Sequence, residues 1–248
     1  MAIIGIIGGS GLNNPDILSN PVDEIITTAY GETSSPLKRG TIEGREIAIL
    51  ARHGREHTIP PSQVNYRANI AALKKIGCSH ILATTAVGSL REEIKRGDLV
   101  IIDQFIDFTK QRKMSFYESF EAHKPLHCSM ADPFDEGLRK ILIDKCRALG
   151  YPFHESGTVV TIEGPRFSTR AESFMFRAIG ADIINMSIAT EAALANEAGL
   201  PYAAIAMSTD YDCWRRDEEA VSWEAVLKTF NENAAKVTTL LQNVIKLI

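Results

Sequence analysis

Short apolar runs alternate with longer helical stretches along this chain, and the alternation restricts the fold more than any other feature of the sequence. The apolar runs predict strands at 3–7, 46–50, 80–84, 99–102, 157–162, 182–185 and 202–207. The longer stretches predict helices at 64–76, 136–149, 169–179, 190–198 and 222–246. Such alternation is typical of an α/β fold in which helices cover a parallel or mixed sheet.

Length and charge narrow the class of protein further. The 248 residues contain no linker and 45% of them are apolar, so we expect a single domain spanning residues 1–248 with a sizeable core. The formal net charge of −4 argues against a nucleic acid or a membrane surface as partner, since both attract basic patches. The ligand is therefore expected to be a small molecule.

The four cysteines, Cys78, Cys128, Cys146 and Cys213, are widely spaced and form neither a C-x-x-C pair nor a Cys/His cluster. This spacing predicts no metal site and favours a reducing, cytoplasmic location. The N-terminal stretch MAIIGIIGGSGL lacks the basic segment of a signal peptide. No apolar run approaches the roughly 18 residues of a membrane span.

Polar segments follow several of the predicted strands, where ligands of such sheets collect. Free backbone amides and a planar guanidinium both suit a phosphate group. The glycine-rich segment lacks the third glycine of a dinucleotide fingerprint and the lysine of a P-loop. Each segment alone is also compatible with a plain turn or a surface salt bridge, but together they favour a phosphate or a phosphorylated ligand. The segments are GGSG at 8–11 with the Ser10 hydroxyl, Arg52 with His53, and 85–89.

Two further stretches carry side chains that could meet a ligand. Met186 and Ser187 stand between a short predicted strand and a helix start, where a hydroxyl and free amides face outward. Ser187 could equally be a simple N-cap, and Met186 a core residue. Phe167 follows the strand at 157–162 and could either pack in the core or stack on an aromatic ligand.

The strand at 202–207 is followed by two aspartates that flank a tyrosine, Asp210 and Asp212. Residues two apart on a strand point to the same face, so the two carboxylates are predicted to share one. Like charges at that distance, in a partly apolar setting, raise each other's pKa. The alternative is an Asx-type turn that closes the strand.

Combined, these motifs resemble the purine nucleoside phosphorylase superfamily. The resemblance runs through nearly the full length of the chain in long ungapped blocks. It is carried by GIIGGSGL, LARHGREHTIPPSQVNYRANI, TTAVGSLREEI, RGDLVIIDQFID, GTVVTIEGPRFSTRAESFMFR, GADIINMS and AMSTDYDCW. It implies an α/β fold of one domain, with a central mixed sheet that is partly barrel-like and covered by helices.

The same resemblance implies an activity and a set of site residues. The closest blocks are those of members that act on S-methyl-5′-thioadenosine, which implies phosphorolysis to adenine and 5-methylthioribose 1-phosphate in purine and methionine salvage. Inorganic phosphate is the co-substrate, and no metal or organic cofactor is implied. The implied phosphate site is Ser10, Arg52, His53, Thr85, Ala86 and Ser187. The implied nucleoside site is Phe167, Ser168, Met186, Asp210, Asp212, Trp223 and His127.

The resemblance also assigns chemical roles. The purine leaves with growing negative charge, and a proton or strong hydrogen bond at N7 lowers that cost. Asp210 would supply it, and Asp212 would accept from the 6-amino group and favour adenine over a 6-oxopurine. With Ser187 at the phosphate, these aspartates form the implied catalytic set.

Three features of the sequence depart from the family pattern or go beyond one chain. Ser187 replaces the usual threonine but keeps the hydroxyl. Trp223 stands where relatives carry a small aliphatic residue near the 5′ substituent. Members of this type are homotrimers that borrow a residue across the interface, and His127 matches that residue best; a larger assembly of two trimers is also compatible.

Two other functions remain open from the sequence. A phosphorylase could prefer 6-oxopurine nucleosides such as methylthioinosine, inosine or guanosine. A non-catalytic nucleoside-binding protein could share the scaffold, but it would be expected to have lost Arg52, Asp210 or the phosphate loops. The assay that would reduce this uncertainty most is adenine release from methylthioadenosine with and without phosphate.

Overall fold

The computed structural model describes residues 2–8, 17–218 and 221–248. The strands in these ranges are β1 (Ile3–Gly8), β2 (Ser19–Glu24), β3 (Leu37–Ile42), β4 (Arg45–Ala51), β5 (Cys78–Ser89), β6 (Leu99–Ile101), β7 (Gln104–Phe108), β8 (Phe153–His154), β9 (Thr158–Ile162), β10 (Ile183–Asn185) and β11 (Tyr202–Asp210). The helices are α1 (Tyr66–Lys75), α2 (Glu136–Leu149), α3 (Arg170–Ala178), α4 (Ile188–Glu197) and α5 (Trp223–Ile245). Every strand and helix predicted from the sequence is present, whereas β2, β3, β7 and β8 were not predicted.

All the described strands belong to one mixed sheet. Its main path runs in the order β2-β3-β4-β1-β5-β10-β9-β7, and β11 branches from β5 and leads through β6 to β8. The β5 strand is parallel to β1 and β11 but antiparallel to β10. The predicted mixed α/β fold is therefore confirmed, and the described strands do not close into a ring.

Helices cover both faces of the sheet and create two main cores. On one face α1 packs against α4, and on the other α2 packs against α5. In β1, Ile3 and Ile7 belong to the first core, while Ile4 and Ile6 belong to the second. Burial on both sides explains why β1 reads as a continuous apolar run rather than as an alternating one.

Side chains at the helix starts satisfy the amides that have no partner within the helix. Asn65, Asp135 and Ser222 each accept a hydrogen bond from a backbone N–H in the first turn of α1, α2 and α5. At the start of α3, Thr169 and Glu172 bond reciprocally and form a capping box. These caps fix where α3 and α5 begin, and both helix starts lie near the cavity described below.

The predicted end of the strand at residue 84, before the polar segment 85–89, is wrong. The strand β5 continues through this segment to Ser89, because β11 pairs with it as far as Gly88 and β10 pairs with Gly88 and Ser89 from the other side. Hydrogen bonding on both edges keeps the backbone extended despite its small residues. The polar groups expected on a loop are therefore held on a central strand.

The cysteines and the helices can be compared with the corresponding features expected of metal and membrane proteins. All four cysteines are free, and burial raises the pKa of the Cys78 and Cys146 thiols to about 12. Among the described residues, no group of His, Cys, Asp and Glu side chains could hold a metal ion. Within the same residues, no helix has both the length and the apolar character needed to cross a bilayer.

Candidate active site

A cavity of about 450 Å³ opens where β4, β5, β10 and β11 meet the start of α5. It brings together most of the residues that the sequence singled out. His127 does not belong to it: this side chain is exposed and packs against Phe120, with ring centroids 5.7 Å apart. Ser10 lies outside the described residues. The predicted residues that line the cavity are Arg52, His53, Thr85, Ala86, Phe167, Ser168, Met186, Ser187, Asp210, Asp212 and Trp223.

The cavity has two chemically distinct ends, and the strand β5 runs from one to the other. Arg52 donates from Nη1 to the Thr84 carbonyl at 3.0 Å, whereas Gly88 lies directly beside Asp210. Four residues of extended strand span roughly 13 Å. We call the region around Arg52, Thr85 and Ser187 the anion end, and the region around Asp210 the acid end.

Arg52 is held rigidly at the anion end. Only 1% of its surface is exposed, and its guanidinium forms two hydrogen bonds to the carboxylate of Glu191, one from Nε and one from Nη2 at 2.9 Å. Burial opposes the charged form, but the Glu191 carboxylate outweighs it and raises the pKa of Arg52. Tyr202 donates to the second oxygen of Glu191 at 2.9 Å.

This pairing changes how Arg52 can meet an anion. Three of the five N–H groups of the guanidinium are used by Glu191 and the Thr84 carbonyl. The fork expected for a phosphate is therefore occupied by Glu191, and two N–H groups remain for a ligand. No role for Glu191 was predicted from the sequence, since a glutamate near the start of a helix usually lies in solvent.

His53 follows Arg52 and is fixed by its own turn. Its Nδ1 lies 3.0 Å from the Ile59 carbonyl, which can only accept, so Nδ1 carries the proton. Burial, together with the charge of Arg52, lowers the pKa of His53 to about 3. The ring is thus neutral, and its Nε2 is an acceptor suited to the O–H of a protonated phosphate.

A buried amide network orients the remaining groups of the anion end. Thr161 donates to the Oδ1 of Asn185 at 2.8 Å, and Asn185 donates from Nδ2 to the Thr85 hydroxyl at 3.3 Å. Ser187 precedes α4 as its N-cap residue, yet its side chain makes no capping hydrogen bond. The hydroxyl of Ser187, whose residue lines the cavity, is therefore not used in capping.

The acid end corrects the predicted geometry of the two aspartates. Asp210 is the last residue of β11, but Asp212 lies in the following turn with φ of 48°, so strand alternation does not place them on one face. Instead the Asp212 amide donates to Asp210 Oδ1 at 2.8 Å, which is the Asx-type turn. Both residues nevertheless line the cavity.

Burial is the main influence on this carboxyl pair. It raises the pKa of Asp210 to about 6, against the opposing hydrogen bonds from the Thr209 hydroxyl and the Asp212 amide. The charge of Asp212 adds to the increase as a smaller cause. Burial also raises the pKa of Asp212. Asp210 can consequently hold a proton close to neutral pH and donate it to a ligand.

Two glycines make room for the groups that face the ligand. A Cβ on Gly88 would lie 2.8 Å from Oδ1 of Asp210 and 3.0 Å from Ile184. A Cβ on Gly164, where φ is 64°, would lie 2.5 Å from the sulfur of Met186. Any larger residue at either position would displace Asp210 or Met186.

Aromatic and aliphatic side chains form the third wall of the cavity. Phe167 and Trp223 are 40% and 42% exposed, so neither belongs to the core, although both line the cavity. The start of α5 adds Val226, Leu227 and Phe230 to this wall. The cavity therefore combines a cationic region, an acid and an apolar wall, which suits an anion together with a flat, partly apolar ligand.

Arg112 has a side chain that is only 3% exposed, and no role was predicted for it from the sequence. It donates to Oε1 of Glu163 at 3.1 Å and to the Tyr66 hydroxyl at 3.1 Å. It also donates to the Glu163 carbonyl at 2.8 Å. The Tyr66 hydroxyl in turn lies 3.2 Å from the Pro61 carbonyl and 3.3 Å from the Met186 carbonyl, which share its proton, so Arg112 helps to hold the backbone beside the cavity.

Known proteins share both the sequence and the architecture. A profile of the Phosphorylase superfamily matches residues 3–246. S-methyl-5′-thioadenosine phosphorylase of Danio rerio is 55% identical over 96% of this chain and 86% of its own length, and that of Thermofilum pendens is 51% identical over 98% and 90%. Methylthioadenosine phosphorylase from Schistosoma mansoni in complex with adenine superimposes with a TM-score of 0.94 at 43% identity, covering 100% of this chain and 92% of that one.

Proposed function

The chain belongs to the phosphorylase superfamily, and from this premise we propose that it is a pentosyltransferase that cleaves S-methyl-5′-thioadenosine with phosphate. The products are adenine and 5-methylthioribose 1-phosphate. The observation that carries the proposal is the pairing, in one cavity, of a buried arginine with a carboxyl group whose pKa is about 6. Relatives at 51–55% identity carry the same activity in their names.

In the proposed reaction the two ends of the cavity act on opposite sides of the sugar. Arg52, Thr85, Ala86, Ser187 and His53 hold phosphate beside C1′, with Ser10 as a further donor. The C1′–N9 bond breaks, its electron pair moves onto the purine, and an oxygen of phosphate bonds to C1′. The charge of the phosphate stabilises the oxocarbenium-like state before the new bond is complete.

The acid end receives the leaving purine. Asp210 transfers its proton to N7 as the C1′–N9 bond breaks and regains one from water after adenine leaves. Asp212 accepts from the 6-amino group. Phe167 and Ser168 contact the base, Met186 the ribose, and Trp223 the 5′ substituent. These roles are supported by the common cavity and by the raised pKa of Asp210.

Several broader statements belong to the same proposal. Residues 1–248 act as one nucleoside phosphorylase domain, in keeping with one sheet that includes strands from β1 to β11. The protein works in the cytoplasm, which suits its four free cysteines. Inorganic phosphate is its co-substrate, and it uses no metal or organic cofactor.

The proposed assembly is a homotrimer, alone or in pairs, in which His127 completes the site of a neighbouring subunit. The exposed position of His127 outside its own cavity supports this role. Light scattering measures the assembly. In mixed trimers of His127→Ala and Asp210→Asn chains, activity should return only at sites where a chain with intact Asp210 receives an intact His127 from its neighbour.

The deciding experiment for the function is adenine release from S-methyl-5′-thioadenosine, measured by chromatography with phosphate, with sulfate and with neither anion. We expect adenine and 5-methylthioribose 1-phosphate in equal amounts, and only with phosphate. Release at the same rate without phosphate would indicate a hydrolase. Faster cleavage of methylthioinosine would indicate a 6-oxopurine phosphorylase, and binding without cleavage a non-catalytic protein.

A further inference from the structure

We propose that His57 is a positioning residue that stacks between His53 and Trp223 and thereby links occupation of the anion end to the position of the indole. The inference rests on the proposed function for the identity of the two ligands, phosphate and a nucleoside with an apolar 5′ group. It concerns a residue that lines the cavity but has no part in the proposed bond-breaking step.

The stack joins two distant parts of the sequence. The rings of His53 and His57 have centroids 4.5 Å apart and an interplanar angle of 34°. The rings of His57 and Trp223 are 4.7 Å apart at 32°. Both distances lie within the range of favourable aromatic pairs. His57 is therefore the middle member of a continuous stack from the anion end to the start of α5.

The backbone of His57 is held in a conformation that few residues adopt. Its φ is 55°, in the left-handed region that few residues other than glycine adopt, although histidine, asparagine and aspartate do so more often than most. Its amide donates to the Gly54 carbonyl at 3.2 Å, and the Ile59 amide donates to the His53 carbonyl at 3.0 Å. The same turn that orients His53 thus presents the ring of His57, at a conformational cost that its surroundings must offset.

The charge state of the two imidazoles suits stacking on an indole. Burial, followed by the charge of Arg52, lowers the pKa of both His53 and His57. Both rings are therefore neutral near pH 7. An anion beside Arg52 offsets the positive potential that acts on both rings and provides a partner for His53, so its arrival alters the first ring of the stack.

The last ring of the stack, that of Trp223, lies at the apolar wall of the cavity, where we place the 5′ group. Trp223 is 42% exposed, and Val226, Leu227 and Phe230 continue the wall along α5. An indole held by His57 leaves a defined space beside these side chains. Because coupling between two ligands is reciprocal, phosphate should strengthen nucleoside binding and the nucleoside should strengthen phosphate binding.

The test uses His57→Asn, which removes the aromatic ring but tolerates the left-handed backbone. The matched control is His123→Asn, at another exposed histidine with φ of 64°. Tryptophan fluorescence is followed while inorganic phosphate alone is added. Trp223→Phe identifies the contribution of Trp223 against that of Trp214, which is buried with its indole N–H bonded to the Ser89 carbonyl.

We expect phosphate to change the fluorescence of the wild type and of His123→Asn, but not of Trp223→Phe or His57→Asn. We also expect the KM for S-methyl-5′-thioadenosine to fall as the phosphate concentration rises. The fall should be roughly two- to tenfold, which is the ratio of affinities that one aromatic pair provides. In His57→Asn this dependence should disappear while kcat changes little.

An unchanged fluorescence response in His57→Asn, or no response in the wild type, would overturn the inference. So would an undiminished dependence of KM on phosphate in the variant. The fluorescence titration needs no turnover. A protein that responds to phosphate but releases no adenine therefore contradicts the proposed function and leaves the stack intact, so the two failures are distinguishable.

Discussion

The two ends of the cavity treat buried charge in opposite ways. At the anion end, Arg52 and Glu191 are fully buried and neutralise each other, and Tyr202 completes the pair. At the acid end, Asp210 is largely shielded from solvent, yet its partners are the Thr209 hydroxyl and a backbone amide. Among the described residues, no ion pair includes Asp210.

The difference follows from what each end must do. A group that holds an anion must keep its charge and its geometry, so a permanent counter-charge is useful there. A carboxyl group that donates a proton must be able to take up that proton, and so become neutral, near the working pH. A cation at ion-pair distance would keep it ionised. Burial, with no cation of the described residues at ion-pair distance and only a small opposing effect from the Arg96 charge, raises the pKa of Asp210 to about 6.

The largest expected effect is at the acid end. Asp210→Asn removes the proton donor and should lower the rate of adenine release by about 10²–10⁴-fold, because asparagine can hydrogen-bond N7 but cannot transfer a proton as an acid. It should also improve methylthioinosine relative to S-methyl-5′-thioadenosine, since the amide can donate to a 6-oxo group. Steady-state kinetics with both nucleosides measure the two effects.

Asp212→Asn is the matched variant for that measurement. It should shift the same preference less, because Asp212 is proposed to contact the amino group and not the leaving nitrogen. Undiminished adenine release by Asp210→Asn would leave the two aspartates with only the turn-closing role seen in the hydrogen bond between them.

The next largest effect is expected when the charge pair of the anion end is broken. Glu191→Gln leaves the Arg52 charge buried without its counter-charge, so the free energy of unfolding should fall by about 3–5 kcal/mol. Chemical denaturation measures it. The exposed pair of Lys140 and Asp144, 3.0 Å apart, provides the control, since Asp144→Asn should leave the midpoint unchanged. Equal midpoints for Glu191→Gln and the wild type would mean that the anion end does not depend on pairing.

The two ends should also respond to pH with opposite signs. Burial raises the folded-state pKa of Asp210 to about 6 from an ordinary value of 3.8, so its contribution to stability is full below pH 4 and is lost as pH rises through 6. The loss amounts to about 3 kcal/mol at 1.4 kcal/mol per pH unit. The folded-state pKa of His53 is lowered to about 3 from 6.5, so its contribution is full above pH 6.5 and is lost as pH falls.

Denaturation from pH 4 to 7 without phosphate separates these two contributions. Relative to the wild type, Asp210→Asn should gain stability as pH rises, and His53→Gln should gain stability as pH falls. The subtraction removes every other titrating group that the variants share. Parallel curves for both variants would contradict the opposite behaviour of the two ends.

The smallest effect concerns the apolar wall between them. Trp223→Val should lower the preference for S-methyl-5′-thioadenosine over adenosine by the value of one sulfur–aromatic contact, about 0.3–1.5 kcal/mol. The readout is the ratio of kcat/KM for the two nucleosides. If that ratio is unchanged, Trp223 serves only to anchor the start of α5.

The strands that were predicted best from the sequence are those buried on both faces. The runs of β1 and β11 are covered on both faces, so they stand out as apolar. The strand β2 (SNPVDE) is exposed and polar, and β3 (LKRGTI) is half-buried with mostly polar residues at its centre. Their pairing depends on contacts that no local pattern reveals. The end of β5 was missed for the same reason, because its extension depends on β10 and β11.

The same distinction applies to the site. Arg52, Ser187 and Asp210 were identifiable because each follows or ends a recognisable apolar strand. Glu191 was not, because its role comes from a partner 139 positions away, and its own neighbours read as an ordinary helix. His57 was also missed, since nothing local shows that its ring meets Trp223.

The position of β5 has a consequence for how the protein loses activity. This one strand contacts β1, β10 and β11, lies beside Asp210 at Gly88 and carries Thr85 of the anion end. It offers no hinge at which one end of the cavity could open while the other stays formed. Such a strand belongs to the last cooperative unit to unfold, so partial denaturation should leave molecules that are either fully competent or wholly inactive, with no population that retains only half a site.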